Sequence, residues 1–213
     1  IFAITPSASS TGVIFKDMAD SSTAYGNVFQ MCFTDPNQGS ASATYLSKHT
    51  NLGTKIGVIY RSDDNYSTGI NTTFTAKAKE LGLDVVSSQT FQNGATDFSV
   101  QVKQLAAAGA DVIFMPIYYQ PATLILQEAK KQGVKATFFG CDGMDGILSQ
   151  DGFDATLAEG LYMLTPFSAD STDTKTAAFV KAYKAKYNET PNQFAADAYD
   201  AIYIIKAAAE KAG

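Results

Sequence analysis

The chain has 213 residues, 46% hydrophobic and 17% charged, with a formal net charge of −5 and a sequence pI of about 4.8. That is enough for one sizeable core, or for one domain and part of another, and the composition is that of an ordinary globular protein. Only 16 Lys and Arg residues are present, with no basic run beyond the pair Lys130–Lys131, which argues against a nucleic-acid partner. No apolar stretch approaches the roughly 20 residues of a bilayer span.

The sequence opens IFAITPSASS, without an initiator Met, a charged n-region or a long apolar h-region, so no signal peptide is visible. Ile1–Ile4 reads as the last part of a strand, with residues expected upstream. Lys55–Tyr60 is a short apolar run. Ser67–Leu81 follows with Ile70, Phe74, Ala78 and Leu81 at helical spacing. Asp84–Ser87 is strand-like, and Asp97–Ala108 carries Phe98, Val102 and Leu105 on one helical face. Asp111–Ile117 reads as a strand, Pro121–Gln132 as a helix, and Ala136–Phe139 and Gly160–Leu164 as further strands. After the polar stretch Pro166–Asp173 come two more helices, Thr174–Tyr187 and Gln193–Lys211.

The punctuation agrees with this alternation. Gly82, Gly109 and Gly133 each close a helical pattern, about one βα unit apart, where a left-handed residue is cheap. Pro36 and Pro121 fall where a first helical turn tolerates proline. The fold expected is α/β, a doubly wound parallel sheet with helices on both faces and right-handed crossovers. Cys32 and Cys141 read as two buried thiols. His49, the one histidine, lies near the end of a helical pattern and reads as a solvated surface residue.

Ligands of open parallel sheets bind beyond the carboxyl ends of the strands. The loops there are ITPSASS (4–10), RSDDNYSTG (61–69), PIYYQPA (116–122), GCDGMDG (140–146) and TPFSAD (165–170), with Arg61 their only cation. Zinc, nucleotide and serine-nucleophile motifs are all absent, and no metal or cofactor is implied. Asp63 and Asp64 read as a turn, with Asp64 or Asn65 near a helix start. What the loops do offer suits a small zwitterion. Ser7, Ser9 and Ser10 suit its carboxylate, Asp142 its ammonium, and Tyr66, Tyr118 and Tyr119 its side chain. An enzyme using Asp142 as a general base would need a partner for that carboxylate, and none can be named.

These segments resemble a known family. ITPSASS, NVFQMCFTDPNQGSASATYL, DDNYSTG, DVIFMPIYYQPA, FFGCDGMDG, EGLYMLTPF and PNQFAADAYDAIYII together resemble the type I substrate-binding proteins of ABC transporters, in the branched-chain amino-acid (Leu/Ile/Val) binding class. The resemblance implies a two-lobed protein that captures a small amino acid and presents it to a membrane permease without making or breaking a bond. It implies a periplasmic or extracellular setting, lipid anchorage at the cell surface included. Residues 1–33 would be a remnant of a first lobe with a crossing strand, 34–165 a complete second lobe, and 166–213 a crossing segment with helices returning to the first. Ser7 and Ala8 would contact the ligand's α-amino and carboxylate groups, the former through a carbonyl. Ser9 would use its hydroxyl and backbone N–H, Tyr66 and Tyr119 would wall the side chain, and Asp142 would pair with the ammonium. The family's Leu/Ile/Val binders carry Glu where this chain has Asp142. A sensory domain of the same fold and a sugar-binding protein are the alternative readings.

Overall fold

In the computed structural model, which describes residues 1–213, the apolar runs of the middle of the chain pair side by side. The elements there are α1 (Asp35–Lys48), β3 (Lys55–Arg61), α2 (Asn65–Glu80), β4 (Asp84–Phe91), α3 (Ser99–Ala107), β5 (Val112–Met115), α4 (Tyr119–Gln132), β6 (Thr137–Gly140) and β7 (Tyr162–Met163); β1 (Ala3–Thr5) and β2 (Val28–Gln30) precede them. The five strands β4-β3-β5-β6-β7 form one sheet in that order, every pair parallel.

Side-chain alternation along the strands sorts the helices into two layers. Val112 and Phe114 of β5 join Ile56, Val58 and Phe139 beneath α1 and α2, where Ile70, Phe74 and Leu46 are buried. Ile113 and Met115 face the other way, with Ile59, onto Phe98 just before α3, Val102 and Leu105 of α3, and Ile125 and Leu126 of α4. This is the doubly wound arrangement expected from the sequence.

The elements run longer or shorter than their apolar runs where burial is partial. β4 extends to Phe91 rather than stopping near Ser87. It is an edge strand paired only with β3, so its outer half can be polar and still be held by backbone hydrogen bonds. β7 keeps only Tyr162–Met163 of Gly160–Leu164, and α3 begins at Ser99, whose N–H is accepted by Asp97 Oδ1 at 2.8 Å. Asp64 caps α2 by accepting from Ser67 N–H. Gly133, at φ 70°, ends α4 in the left-handed conformation its position predicts.

The chain divides into two units, Asp35–Leu164 and Ile1–Thr34 with Thr165–Gly213. In the latter, β1 pairs with β2 in parallel, three residues on each side. Its helices are α5 (Thr174–Tyr187) and α6 (Gln193–Ala212), capped by Asp173 and Asn192, with Phe179 of α5 packed 4.8 Å from Tyr199 of α6. Two expectations need correction. Cys32 is only half-buried, because it lies in a short irregular stretch just after β2; Cys141 alone is fully buried. His49 is half-buried rather than solvated, its ring stacked on Tyr45 one helical turn back at 3.8 Å.

Helices α1 and α2 approach unusually closely at Gly39. A Cβ built there would lie 2.1 Å from Thr73 Oγ1, 2.4 Å from the Ile70 carbonyl oxygen and 2.7 Å from Phe74 N. Backbone cannot rotate aside as a side chain can. Gly39→Ala should therefore destabilise the chain by about 1–3 kcal/mol or more, measured by urea unfolding, despite alanine's better helix propensity. An unchanged midpoint would mean the helices do not meet there.

Candidate functional site

Asp142 follows β6 as the first residue of a short 3-10 turn, Asp142–Met144, at the carboxyl edge of the sheet. It is 4% exposed, and burying a carboxylate is costly unless hydrogen bonds hold its charge. Tyr66, in the first turn of α2, donates its hydroxyl to Asp142 Oδ1 at 2.7 Å. The same hydroxyl accepts the Gly143 N–H at 2.9 Å, so one phenol fixes both the carboxylate and the peptide after it. On the α1 side, Gln38 accepts the Asp142 N–H through Oε1 at 3.2 Å.

Glycine is required at 143. A Cβ there would lie 2.8 Å from the Tyr66 hydroxyl and 3.0 Å from Tyr118 Cδ1. Tyr118 in turn stacks on Tyr66, with centroids 4.7 Å apart. Beneath this layer the Cys141 thiol, wholly buried, is raised well above the ordinary thiol range by burial and then by the Asp142 charge; it is an inert core group 3.9 Å from Ser42 Oγ. Burial, then the neighbouring Cys141 and Asp142, likewise pushes the Tyr66 phenol far up, so it stays a donor.

The tyrosines expected to act together are sorted into different places. Tyr66 bonds Asp142 and Tyr118 stacks on Tyr66, whereas Tyr119 packs on the α3–α4 side of the core; Tyr118 and Tyr119 both line a cavity of about 360 Å³. The serine-rich segment belongs to the other unit. There Ser9 is buried and Ser7 half-buried, and Ala8 is exposed, its carbonyl accepting from Gln30 Nε2 at 2.6 Å. Ser10, grouped with them in the sequence, instead accepts from Gly12 N–H and caps a short turn, Thr11–Val13. Hydroxyls beside a helical turn are readily recruited in this way.

Two contributors were invisible to periodicity. Gln38 is fully buried, but α1 turns Asp35, Gln38, Gly39 and Ser42 inward and so shows no apolar stripe. Ser67, also fully buried, donates to the Pro116 carbonyl at 2.6 Å and accepts from Arg61 N–H at 2.8 Å. Its only signal in the sequence was its place three residues after the capping Asp64. No group of three or more His, Cys, Asp or Glu side chains is placed to hold a metal ion, and no helix is long and apolar enough to cross a membrane.

The parallel α/β unit thus places an oriented carboxylate and an aromatic pair at its carboxyl edge, where open parallel sheets take their ligands. The chain belongs to the periplasmic binding protein family, whose sequence profile matches residues 1–213. It is 26% identical over all its residues to the leucine-, isoleucine-, valine-, threonine- and alanine-binding protein of Pseudomonas aeruginosa, covering 54% of that protein. It is 36% identical over 144 residues to Leu/Ile/Val-binding protein homolog 7 of Brucella abortus, an alignment spanning 64% of this chain and 35% of the relative. Among solved structures, the leucine-binding protein LivK of Thermotoga maritima superposes with a TM-score of 0.84 at 27% identity, over 98% of this chain and 57% of the other. LivJ of Streptococcus pneumoniae, a branched-chain amino-acid transporter substrate-binding protein solved with isoleucine, gives 0.83 at 30% identity, over 96% and 56%. The chain thus spans about half the length of these relatives.

The burial of the aromatic pair, and then the carboxylates around it, have a measurable consequence. Burial, then the charges of Asp64, Asp142 and Asp35, push the Tyr118 phenol from its ordinary 10.0 up to about 12, against the opposing pull of Arg61. The folded chain therefore holds a proton that the unfolded chain loses. The stability this lends is complete below pH 10 and is lost as pH rises to about 12. In a spectrophotometric titration, Tyr118→Phe should remove one phenol from the last-titrating group. Removal of a phenol that ionises near 10 instead would show that Tyr118 is neither desolvated nor subject to these charges.

Proposed function

We propose that this chain is the ligand-capturing part of an ABC transporter's solute-binding protein, which takes up a small amino acid and makes no covalent change to it. The observation that carries this reading is the Asp142 carboxylate, buried and held by the Tyr66 hydroxyl at 2.7 Å beside a glycine N–H. A carboxylate fixed in a low-dielectric setting favours a cationic hydrogen-bond donor over water, and an α-ammonium is the smallest such group a nutrient carries. The Tyr66–Tyr118 pair offers it a π-face as well. Ser7, Ala8 and Ser9 are the proposed contacts for the α-amino and carboxylate groups, and Tyr66 and Tyr119 for the side chain. The names of the relatives, which bind leucine, isoleucine and other small amino acids, support the ligand class. A membrane permease is the proposed partner, and the proposed setting is periplasmic or extracellular, with lipid anchorage at the cell surface.

A thermal-unfolding screen of the twenty amino acids and common sugars tests this. An amino acid at about a hundred times its dissociation constant should stabilise the chain by roughly 2.7 kcal/mol. Asp142→Asn keeps the shape and the Tyr66 bond but removes the charge, and should weaken binding by about tenfold or more. Stabilisation by sugars alone, or by amino acids equally in both proteins, would rule out the ammonium role.

A further inference from the structure

Asp142 treats its own backbone differently from other aspartates of the chain. Asp17, Asp20, Asp97 and Asp154 each accept the N–H two residues on, and Asp64 and Asp173 the N–H three residues on, at 2.8–3.0 Å. This is the ordinary behaviour of a short acid at a turn, and it commits the carboxylate to local structure. Asp142 opens a turn of its own, Asp142–Met144, yet its carboxylate takes none of the N–H groups there.

Each of those donors is already engaged. The Met144 N–H goes to the Cys141 carbonyl at 3.0 Å and the Asp145 N–H to the Asp142 carbonyl at 2.9 Å, as a 3-10 turn requires. That leaves the N–H groups of Gly143 and of Asp142 itself. Side chains from outside the turn take both: Tyr66 Oη of α2 at 2.9 Å and Gln38 Oε1 of α1 at 3.2 Å. Tyr66 also gives its own proton to the acid.

Packing alone does not explain an amide at position 38. Gln38 is fully buried on the inward face of α1, and its Nε2 has no hydrogen-bond partner. A buried donor left unused destabilises a fold, whereas a methionine would fill a similar space without that penalty. What only the amide supplies is the acceptor at the Asp142 N–H. Without it, that N–H is a buried donor with its own carboxylate always within reach. A carboxylate that closes on its own main chain is no longer presented at the sheet edge.

We propose that Gln38 is a positioning residue for the Asp142 site: its amide oxygen occupies the Asp142 N–H, so that the acid does not close on its own turn and stays open to a bound ammonium. The ammonium rests on the amino-acid reading above; the hold on the acid does not.

Gln38→Met removes the acceptor and keeps the bulk, and Gln38→Glu keeps an oxygen in the same place. Amide hydrogen exchange, followed by NMR on the whole ligand-free chain, reads the hold directly. In Gln38→Met the turn is held from one side only, and exchange at Asp142 and Gly143 should rise about tenfold or more. Ile113 and Phe114 in β5 should exchange as in the wild type, and Gln38→Glu should stay near wild type at all four. Leucine affinity, measured by calorimetry, should fall about tenfold in Gln38→Met. Added to Asp142→Asn, the same substitution should weaken leucine little further, because the charge it positions is already gone. Unchanged exchange at Asp142 and Gly143, a rise shared equally by Ile113 and Phe114, or the two Gln38 variants behaving alike would overturn the proposal. So would an equal loss of leucine affinity with and without Asp142→Asn. If exchange responds as expected but the wild type binds neither leucine nor any other amino acid, the amino-acid reading fails and Gln38 keeps its role.

Discussion

Two adjacent residues at the start of α2 hold the carboxyl edge of the sheet together. Ser67 points inward and ties the last residue of β3 to the segment after β5, through the Arg61 N–H and the Pro116 carbonyl. Tyr66 points across the carboxyl ends and takes Asp142 and Gly143. The first bond sets where the helix begins relative to the strands. The second inherits that placement and transmits it to a carboxylate 76 residues away in sequence. Both are possible because Asp64 caps the helix, which fixes the rotation at which residues 66 and 67 leave it. A helix started one residue later would turn Tyr66 off the acid by 100°.

The close crossing of α1 and α2 belongs to the same constraint. Gly39 lets the two backbones meet, and the residue before it, Gln38, then reaches the Asp142 N–H. A wider crossing would carry Gln38 away and leave that buried N–H without its partner, at a cost of about 1–3 kcal/mol. The small and polar inward face of α1 is therefore less a weak hydrophobic face than a spacer that sets how near Gln38 comes to the Asp142 N–H. Fold stability and site geometry draw on the same contacts here.

Legibility in the sequence follows from what each feature depends on. Strands β3, β5 and β6 are buried runs and could be read directly, as could helix ends at Gly82, Gly109 and Gly133, where left-handed backbone demands the residue type. Asp142 was conspicuous because a carboxylate between glycines after a buried strand is chemically out of place. The partition of the tyrosines was not legible. Tyr118 and Tyr119 are neighbours, and which of them stacks on Tyr66 depends on where α4 begins, at Tyr119, a boundary that Pro121 located only to within a turn. Gln38 was hidden for a different reason: its burial arises from a helix–helix approach governed by a single glycine, which no periodicity records.

The identity of the acid also fits this geometry. A glutamate, expected at this place from the family resemblance, would extend one methylene further from the 3-10 turn. In this chain the space directly before the carboxylate is taken by the Tyr66 hydroxyl, which is simultaneously bound to the Gly143 N–H and cannot retreat without breaking that bond. The Tyr118 ring closes the flank, within 3.0 Å of where a Cβ at 143 would lie. A longer acid would have to displace the phenol or fold back toward Gln38. The shorter side chain keeps the carboxylate oxygen at hydrogen-bonding distance from Tyr66 while the backbone stays locked on both sides. Aspartate, Tyr66 and Gly143 thus act as one unit, in which the length of the acid is set by the phenol that orients it.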